Sequence, residues 1–394
     1  MSTALSQVSA AQWKLKRLGD CARFINGRAY SQEELLDQGT PVIRIQNLNG
    51  GNRWYYSSLQ LPDEKYCVDG DLLFAWSASF GPYIWSGDRA IFHYHIWRII
   101  PLHGVDKAFL FRLLEWITER VKAASHGVAM LHMTKAGIEA WEVSVPPLPE
   151  QRRIAAILDQ ADALRAKRRE ALAQLDSLTQ SIFIEMFGDP FANPFGWPLV
   201  DTGNLADVQG GLQVTSARQD LPREVPYLRV ANVHRGHLLL DEIKLIRATA
   251  AEVKRTSLRD NDLLVVEGHG NPNEIGRSAL WNDQIAECVH QNHLIRVRFD
   301  LSIVVPAYAC EYLNSAGGRR HLLRAGKTTS GLNTISVSNV REAPVALPPL
   351  ALQQTFATRI QAVEALKTTH RAALAELDAL FASLQHRAFA GQLS

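Results

Sequence analysis

Residues 146–189 read PPLPEQRRIAAILDQADALRAKRREALAQLDSLTQSIFIEMFGD. Pro146, Pro147 and Pro149 bar a strand and pre-set the backbone for a helix start. From Glu150 onward neither Pro nor Gly occurs until Gly188, and Ala, Leu, Arg, Glu and Gln dominate, a composition whose summed propensity favours helix. A helix from Gln151 to Phe187 would be about 55 Å long. Apolar residues fall at Ile154, Ile157, Ala161, Leu164, Ala171, Leu175, Leu178 and Ile182. Steps of three and four predict the seam of a coiled coil, interrupted by the charged Arg168.

The passage occurs a second time. Pro348, Pro349 and Leu350 open a run from Gln353 to Phe389, and adding 202 to a residue number in the first run gives its counterpart without a gap. Gln151 maps to Gln353, Leu164 to Leu366, Leu175 to Leu377, Asp176 to Asp378 and Phe187 to Phe389; the polar interruption Arg168 maps to His370. The chain is therefore read as a duplicated unit, each copy closing with a long helix.

The duplication extends upstream. Trp13–Leu15 resembles Trp197–Leu199, Pro41–Leu48 resembles Pro226–Val233, Asp69–Phe74 resembles Asp260–Val265, and His95–Ile99 resembles His293–Val297. The offset grows from 184 through 185, 191 and 198 to 202, so the second copy carries small insertions. Strands are expected at Val42–Leu48, Asp71–Trp76 and His93–Ile100, with counterparts at Tyr227–Val233, Asp262–Glu267 and His293–Phe299. Amphipathic helices are expected at Asp106–Ala124 and Pro306–Leu323. Repeated strands joined by unlike loops suggest one scaffold bearing two recognition surfaces.

Composition narrows the partners. The 394 residues are 46% hydrophobic and 21% charged, with a net charge of only +2, so nucleic-acid binding would have to come from local patches. Cys21, Cys67, Cys288 and Cys310 form no CxxC pair, as suits a reduced, cytosolic protein. Residues 1–12 lack the features of a signal peptide, and no apolar run reaches the length of a membrane span.

Catalytic motifs are weak. A phosphate-binding loop ending Gly326–Lys327–Thr328 would need glycine where His321 stands. The run Leu263–Gly270 looks like a strand feeding a glycine-rich cofactor loop, but Asn273 replaces the third glycine. Glu242-x-Lys244 and Glu252-x-Lys254 lack the Asp that a metal-dependent nuclease would add. The histidine pairs His93/His95 and His290/His293 suit either metal ligation or strand packing. Arg319, Arg320, Arg324 and Lys327, followed by Thr328, suit a loop that grips DNA phosphates, and equally an ordinary solvated loop. The corresponding first-half segment is Ser125–Gly127, with Lys122 and Lys135 nearby.

The duplicated Pro-Pro-Leu-x-x-Gln helix start, Ile154-Ala-x-Ile-Leu158, Phe187–Asp189, the end Ala388–Gln392 and the repeated Arg-x-x-Asn and Asp-Leu-Leu strands resemble the specificity (S) subunits of type I restriction–modification enzymes. Nearly the whole chain takes part. The second helix start departs from the pattern, with Ala351–Leu352 in place of Pro149–Glu150. The resemblance implies an α+β protein with a pseudo-two-fold internal repeat, in which two homologous α/β target recognition domains are joined by two long antiparallel coiled-coil helices. The implied layout is a recognition domain over 1–149, a spacer helix over 150–188, a second recognition domain over 189–351 and a second spacer helix over 352–394.

It also implies a non-catalytic subunit reading an asymmetric, bipartite duplex DNA target. Methyltransferase (M) subunits, expected to number two, would dock on it, and restriction/translocase (R) subunits would join for cleavage. The chain itself would bind no cofactor; S-adenosylmethionine, ATP and Mg would sit on partner subunits, and the setting would be the prokaryotic cytoplasm. Residues suited to reading groove edges are Arg44, Gln46, Asn47, Trp76, Ser77 and Lys135 in the first domain. In the second they are Arg229, Asn232, His269, Asn271, Asn273, Lys327 and Thr328. Arg44 and Arg229 recur in both halves and suit scaffold ion pairs as well. Two other readings compete: a self-contained S-adenosylmethionine-dependent DNA adenine methyltransferase built on the Glu267–Gly270 loop, and an assembly protein whose coiled coil is its function.

Overall fold

A computed structural model describes residues 13–77, 79–124, 134–329 and 332–393. It divides into two compact units, residues 1–169 with 371–394, and residues 170–370. Two helices of equal length, Leu148–Phe187 and Leu350–Phe389, each contribute one part to each unit.

The helix starts explain the repeated motif. Gln151 is buried: its Oε1 accepts from the Asp106 N–H (2.8 Å), and its Nε2 donates to the carbonyls of Gly104 (2.9 Å) and Pro146 (2.8 Å). Gln353 repeats this with the Val305 N–H (2.9 Å) and the carbonyls of Ile303 (3.3 Å) and Pro348 (2.9 Å). One side chain thus satisfies three backbone groups that would otherwise be buried without partners. That is why Gln is retained where Ala351–Leu352 replaces Pro149–Glu150. Glu150 adds only a local bidentate pair to Arg153 (2.8 Å). The first helix ends at Gly188, whose φ of +78° is a left-handed cap.

In the first unit the antiparallel sheet 22–26, 96–101, 72–75, 81–84 covers the helix Lys107–Ala124. Phe24, Phe74, Trp97, Phe109 and Leu113 form a core with Ile154, Leu158, Phe381 and Phe389 of the long helices. A second sheet, ordered 55–57, 40–43, 90–92, 66–67, carries one parallel pair between Val42–Ile43 and Ile91–Phe92. The second unit repeats this plan. Its sheet 206–210, 294–299, 263–266, 278–280 is antiparallel throughout, and Tyr227–Leu228 pairs parallel with Val289–His290. Phe183, Phe187, Tyr308 and Phe356 pack in its core.

Within each unit the long helices run antiparallel. In the first, Arg165 pairs with Asp378 (2.6 Å) and Arg153 donates to the Leu393 carbonyl (2.6 Å). In the second, Lys367 pairs with Asp176 (2.9 Å), and Phe356 packs on Phe183 and Phe187. The two ion pairs are images of one another under the repeat, since 165 maps to 367 and 176 to 378.

The structure corrects the expected seam. Leu164 and Leu178 are 47% and 44% exposed, and their counterparts Leu366 and Leu380 are 52% and 50% exposed. The inward row runs instead through Ile154, Leu158, Ala161, Arg165, Arg168, Leu172, Leu175, Thr179 and Phe183, in steps of four and three; Arg165, Arg168, Leu172 and Leu175 in its middle are half-buried and the others buried. The apolar residues alone trace a neighbouring row because the true seam carries cations, which pattern reading assigns to solvent. Further expectations change. Ile45–Leu48 and its counterpart Val230–Asn232 are helical turns rather than strand ends, and the strand expected from His93 begins at Ile96. The expected helix 306–323 is broken into Pro306–Asn314 and Arg320–Ala325; at Gly318 a side chain would collide with the Tyr312 carbonyl.

Candidate nucleic-acid interface

The candidates separate by how their polar atoms are used. Asn47 and Asn232 hold loops together. Asn232 is 3% exposed; its Oδ1 accepts from the Arg229 N–H (3.0 Å), and its Nδ2 donates to the carbonyls of Leu239 (2.8 Å) and Glu242 (3.0 Å). Asn47 does the same with the Arg44 N–H (3.0 Å) and the carbonyls of Gly51 (3.4 Å) and Arg53 (3.0 Å). Both side-chain amides are thus engaged in holding their own loops. Arg229 pairs with Glu242 (3.0 Å), and Arg44 lies over the Tyr55 ring (5.3 Å), which places both in the scaffold. Gln46 is exposed and donates to the Arg53 carbonyl (2.8 Å).

The first-domain loops 44–53 and 76–81 are tied together by Asn49, which donates to Ser79 Oγ (2.7 Å) and accepts from the Tyr83 hydroxyl (3.0 Å). Trp76 is part of an aromatic group: it stacks on Trp97 (5.9 Å), meets His95 edge-on (5.0 Å) and donates its indole N–H to the Tyr94 carbonyl (2.9 Å). Ser77 follows it, half-exposed. His93 stacks on Tyr30 and lies 5.0 Å from His95. Burial, with the nearby His95 and Arg44, lowers its pKa to about 4. Lys135 opens the short helix Lys135–Glu139 and faces Glu139 at 3.6 Å. The Ser125–Gly127 segment lies outside the described residues.

The second-domain candidates converge. Gly268–His269 pairs with Asn333–Thr334, which pairs with Lys327–Thr328, making a three-stranded sheet. His269 stands opposite Asn333, and Asn333 opposite Thr328. The loop leaving His269 is internally braced: the Asn271 N–H donates to His269 Nδ1 (3.0 Å), and the Asn273 N–H donates to Asn271 Oδ1 (3.0 Å). The Asn273 carbonyl accepts from Arg319 (2.6 Å) and Arg235 (3.1 Å), and Arg277 pairs with Glu274 (3.0 Å). Burial and the neighbouring Arg235 lower the pKa of Arg319. Asn271 and Asn273 are exposed at the loop surface.

The same geometry removes the competing motifs. Glu267–Gly270 leads from one antiparallel strand into another, whereas a nucleotide cradle needs a strand of a parallel sheet feeding a helix N-terminus. The self-contained methyltransferase reading fails on this topology. Lys327 follows a helix and lies in a strand, the reverse of the order in a phosphate-binding loop. His290 is fully buried, with Nδ1 3.1 Å from the Thr256 carbonyl; burial lowers its pKa to about 4. All four cysteines are free and buried.

Residues 11–174 match the family described as the type I restriction modification DNA specificity domain. The chain is 22% identical to the type I restriction enzyme EcoBI specificity subunit of Escherichia coli, over 97% of this chain and 86% of that protein. It is 24% identical to the EcoKI specificity subunit of Escherichia coli K12, over 97% and 89%. The chain is similar to type I specificity subunits over nearly its whole length. The fold agrees. A chain from a solved structure on complex assembly and conformational transition of the type I R-M system matches with a TM-score of 0.57 at 20% identity, covering 98% of this chain and all of that one. The type I restriction–modification S subunit of M. genitalium matches with a TM-score of 0.52 at 14% identity, covering 99% and 98%.

Against the specificity-subunit fold, Asn333, Arg235 and Asn49 stand out beyond the residues read from the sequence. Asn333 occupies the central strand of the second-domain sheet, Arg235 joins Arg319, already expected on a phosphate-gripping loop, in clamping the loop after His269, and Asn49 ties two first-domain loops. None of the three has a motif. Arg235 becomes visible only when the acceptor it shares with Arg319, the Asn273 carbonyl, is known. Asn333 lies close to the Lys327–Thr328 pair in sequence and could have been found by extending that strand through a hairpin.

Proposed function

We propose that this chain is the non-catalytic, sequence-specific DNA-binding subunit of a type I restriction–modification assembly. Each domain reads one half of an asymmetric, bipartite duplex target, and the long helices set the distance between the halves. The observation that carries this reading is the pair of domains with matching topology but unlike side chains at equivalent positions. Trp76 beside His95 in the first domain becomes Glu267 paired with His293 (2.9 Å) in the second. Two unlike surfaces on one scaffold call for two unlike half-sites, in contrast to the palindromes read by homodimers.

In this reading M and R subunits are the partners. Leu164 and Leu380 in the first unit, and their counterparts Leu366 and Leu178 in the second, are exposed apolar residues, so that each unit offers the same pair, which suits two M subunits. S-adenosylmethionine, ATP and Mg belong to those partners, and the assembly works in the prokaryotic cytoplasm. Adenine-methylation mapping of cells expressing this chain with its M subunit tests the reading. A split, asymmetric motif is expected. A continuous or palindromic motif, or methylation by this chain alone, overturns it.

A further inference from the structure

We propose that Arg235 and Arg319 together grip one backbone phosphate of the duplex beside the second half-site, at a place where the first domain is neutral. The inference rests on the DNA-recognition reading above and adds a ligand group, its position and a difference between the two halves.

Both domains tie the loop held by their bracing asparagine to the loop that follows the strand 72–75 or 263–266. In the first domain the tie is neutral: Asn49 donates to Ser79 Oγ (2.7 Å) and accepts from the Tyr83 hydroxyl (3.0 Å). In the second domain the braced loop is longer. The Asn232 amide reaches carbonyls seven and ten residues on, where Asn47 reaches four and six. The added length carries Arg235, whose guanidinium donates to the carbonyls of Asn273 (3.1 Å) and Asn314 (3.3 Å). Arg319 donates to the same Asn273 carbonyl (2.6 Å). One carbonyl oxygen thus holds two guanidinium groups side by side.

Their charge is not balanced locally. Glu274 lies 3.9 Å from Arg235 but is engaged by Arg277 at 3.0 Å, and it is also the carboxylate whose charge reaches Arg319. Three guanidinium groups share that one carboxylate among the described residues. Burial, and then the charge of Arg235, lower the pKa of Arg319, a repulsion that a bound anion would relieve. Each guanidinium carries five N–H donors in a fork that matches phosphate, and the two carbonyls use only some of them. Both side chains are half-buried, so they are held in place and still reachable. The loop they hold displays Asn271 and Asn273 at the surface, and a phosphate contact there would set its register on the duplex. A carboxylate on a docked protein would suit two guanidinium groups as well. DNA is favoured because the arrangement does not recur: two copies of one partner protein would meet equivalent groups in both halves, whereas unlike half-sites need not.

The test uses the chain assembled with its M subunit and a duplex bearing the motif that this assembly selects, with affinity measured over a range of salt. Arg235→Gln with Arg319→Gln should lower the slope of log affinity against log salt by about 0.9, so a fourfold rise in salt costs the wild type about 3.5-fold more affinity than the variant. Arg235→Lys with Arg319→Lys keeps both charges and should keep the wild-type slope. Replacing single phosphates by uncharged methylphosphonates should reveal one position beside the second half-site that weakens the wild type and leaves the Gln variant unaffected. Retained preference for the first half-site shows that the Gln variant is folded and assembled. An unchanged slope, or an altered base preference in the second half without a change of slope, would make the arginines loop braces and overturn the proposal. So would the absence of a sensitive phosphate, or loss of M-subunit binding by the Gln variant, which would make the ligand a protein carboxylate. Failure of the wild-type assembly to select a split motif would instead sink the DNA-recognition reading itself.

Discussion

The helix seam contains a cation whose replacement separates two kinds of stabilisation. Lys367 is 5% exposed, and its ammonium donates to Glu364 (2.7 Å), Asp176 (2.9 Å) and Thr179 Oγ1 (3.3 Å). Burial works to lower its pKa, but the hydrogen bonds and charges of Glu364 and Asp176 raise it overall. Its partners differ from it in exposure: the Asp176 and Glu364 carboxylates are 69% and 46% accessible. Lys367→Met removes the buried charge and leaves two carboxylates that water can solvate. The expected change is within about 1 kcal/mol of wild type, in either direction. Removing both carboxylates, Asp176→Ala with Glu364→Ala, takes two charged acceptors from a buried ammonium and leaves it the Thr179 hydroxyl and the more distant charge of Glu311. Two charge-assisted bonds at about 1.5–3 kcal/mol each, discounted for the exposure of the acceptors, give a loss of about 2 kcal/mol. Urea denaturation followed by helix circular dichroism measures both. A Lys367→Met loss equal to or larger than that of the double carboxylate variant would refute the argument that the cation is tolerated rather than required.

Lys327→Ala should weaken DNA binding nearly evenly across sequences and reduce the slope of log affinity against log salt by about one; an unchanged slope removes Lys327 from the interface. Four residues inserted at Ala171 and four at the equivalent Ala373 lengthen each helix by about 6 Å, which is about two base pairs of duplex. Methylation mapping should return the same half-sequences with a longer gap, and a changed base in either half would show that the helices do more than space the domains. Burial holds the His290 pKa at about 4 in the fold against about 6.5 unfolded, so the neutral ring is favoured on folding. Its stabilising contribution is complete above pH 6.5 and is lost as pH falls toward 4. His290→Gln should flatten the fall in melting temperature between pH 7 and pH 5, and an unaltered slope would mean that His290 does not titrate in that range.

How legible the chain was depended on how far apart the deciding contacts lie. The long helices could be read because propensity, the Pro-Pro start and the Gly188 stop are local signals, and because the 202-residue repeat doubles each of them. The apolar pattern points to a neighbouring row because the half-buried Arg165 and the buried Lys367 face the seam by virtue of Asp378 and Asp176, more than 190 residues away in sequence. Pattern reading cannot see a distant counter-charge. Among the candidates, His269 is far in sequence from Lys327 and Thr328 yet shares one sheet with them. Asn47 and Asn232 were chosen for their side-chain chemistry and proved to be loop braces, since a buried amide and a reading amide look alike in sequence.

These braces point to a rule for this fold. Side chains that recur in both halves have their polar atoms used internally. Gln151 and Gln353 close helix starts, and Asn47 and Asn232 close turns. Asp71 and Asp262 each accept a backbone N–H and pair with an arginine, Arg98 and Arg298 respectively. Positions that diverge between the halves make different local contacts in each. Trp76 and Glu267 occupy the same place after the same strand, and Tyr94 and Asn292 the same turn, yet one pair of positions builds an aromatic cluster and the other holds a His–Glu pair. A duplicated domain that reads two different sequences must keep the contacts that build it and vary those that face the DNA. Repetition within a single chain therefore marks scaffold, and its failure marks the reading surface, without any second sequence for comparison. By that criterion Trp76, Tyr94 and Glu267 are stronger reading candidates than Arg44 or Arg229.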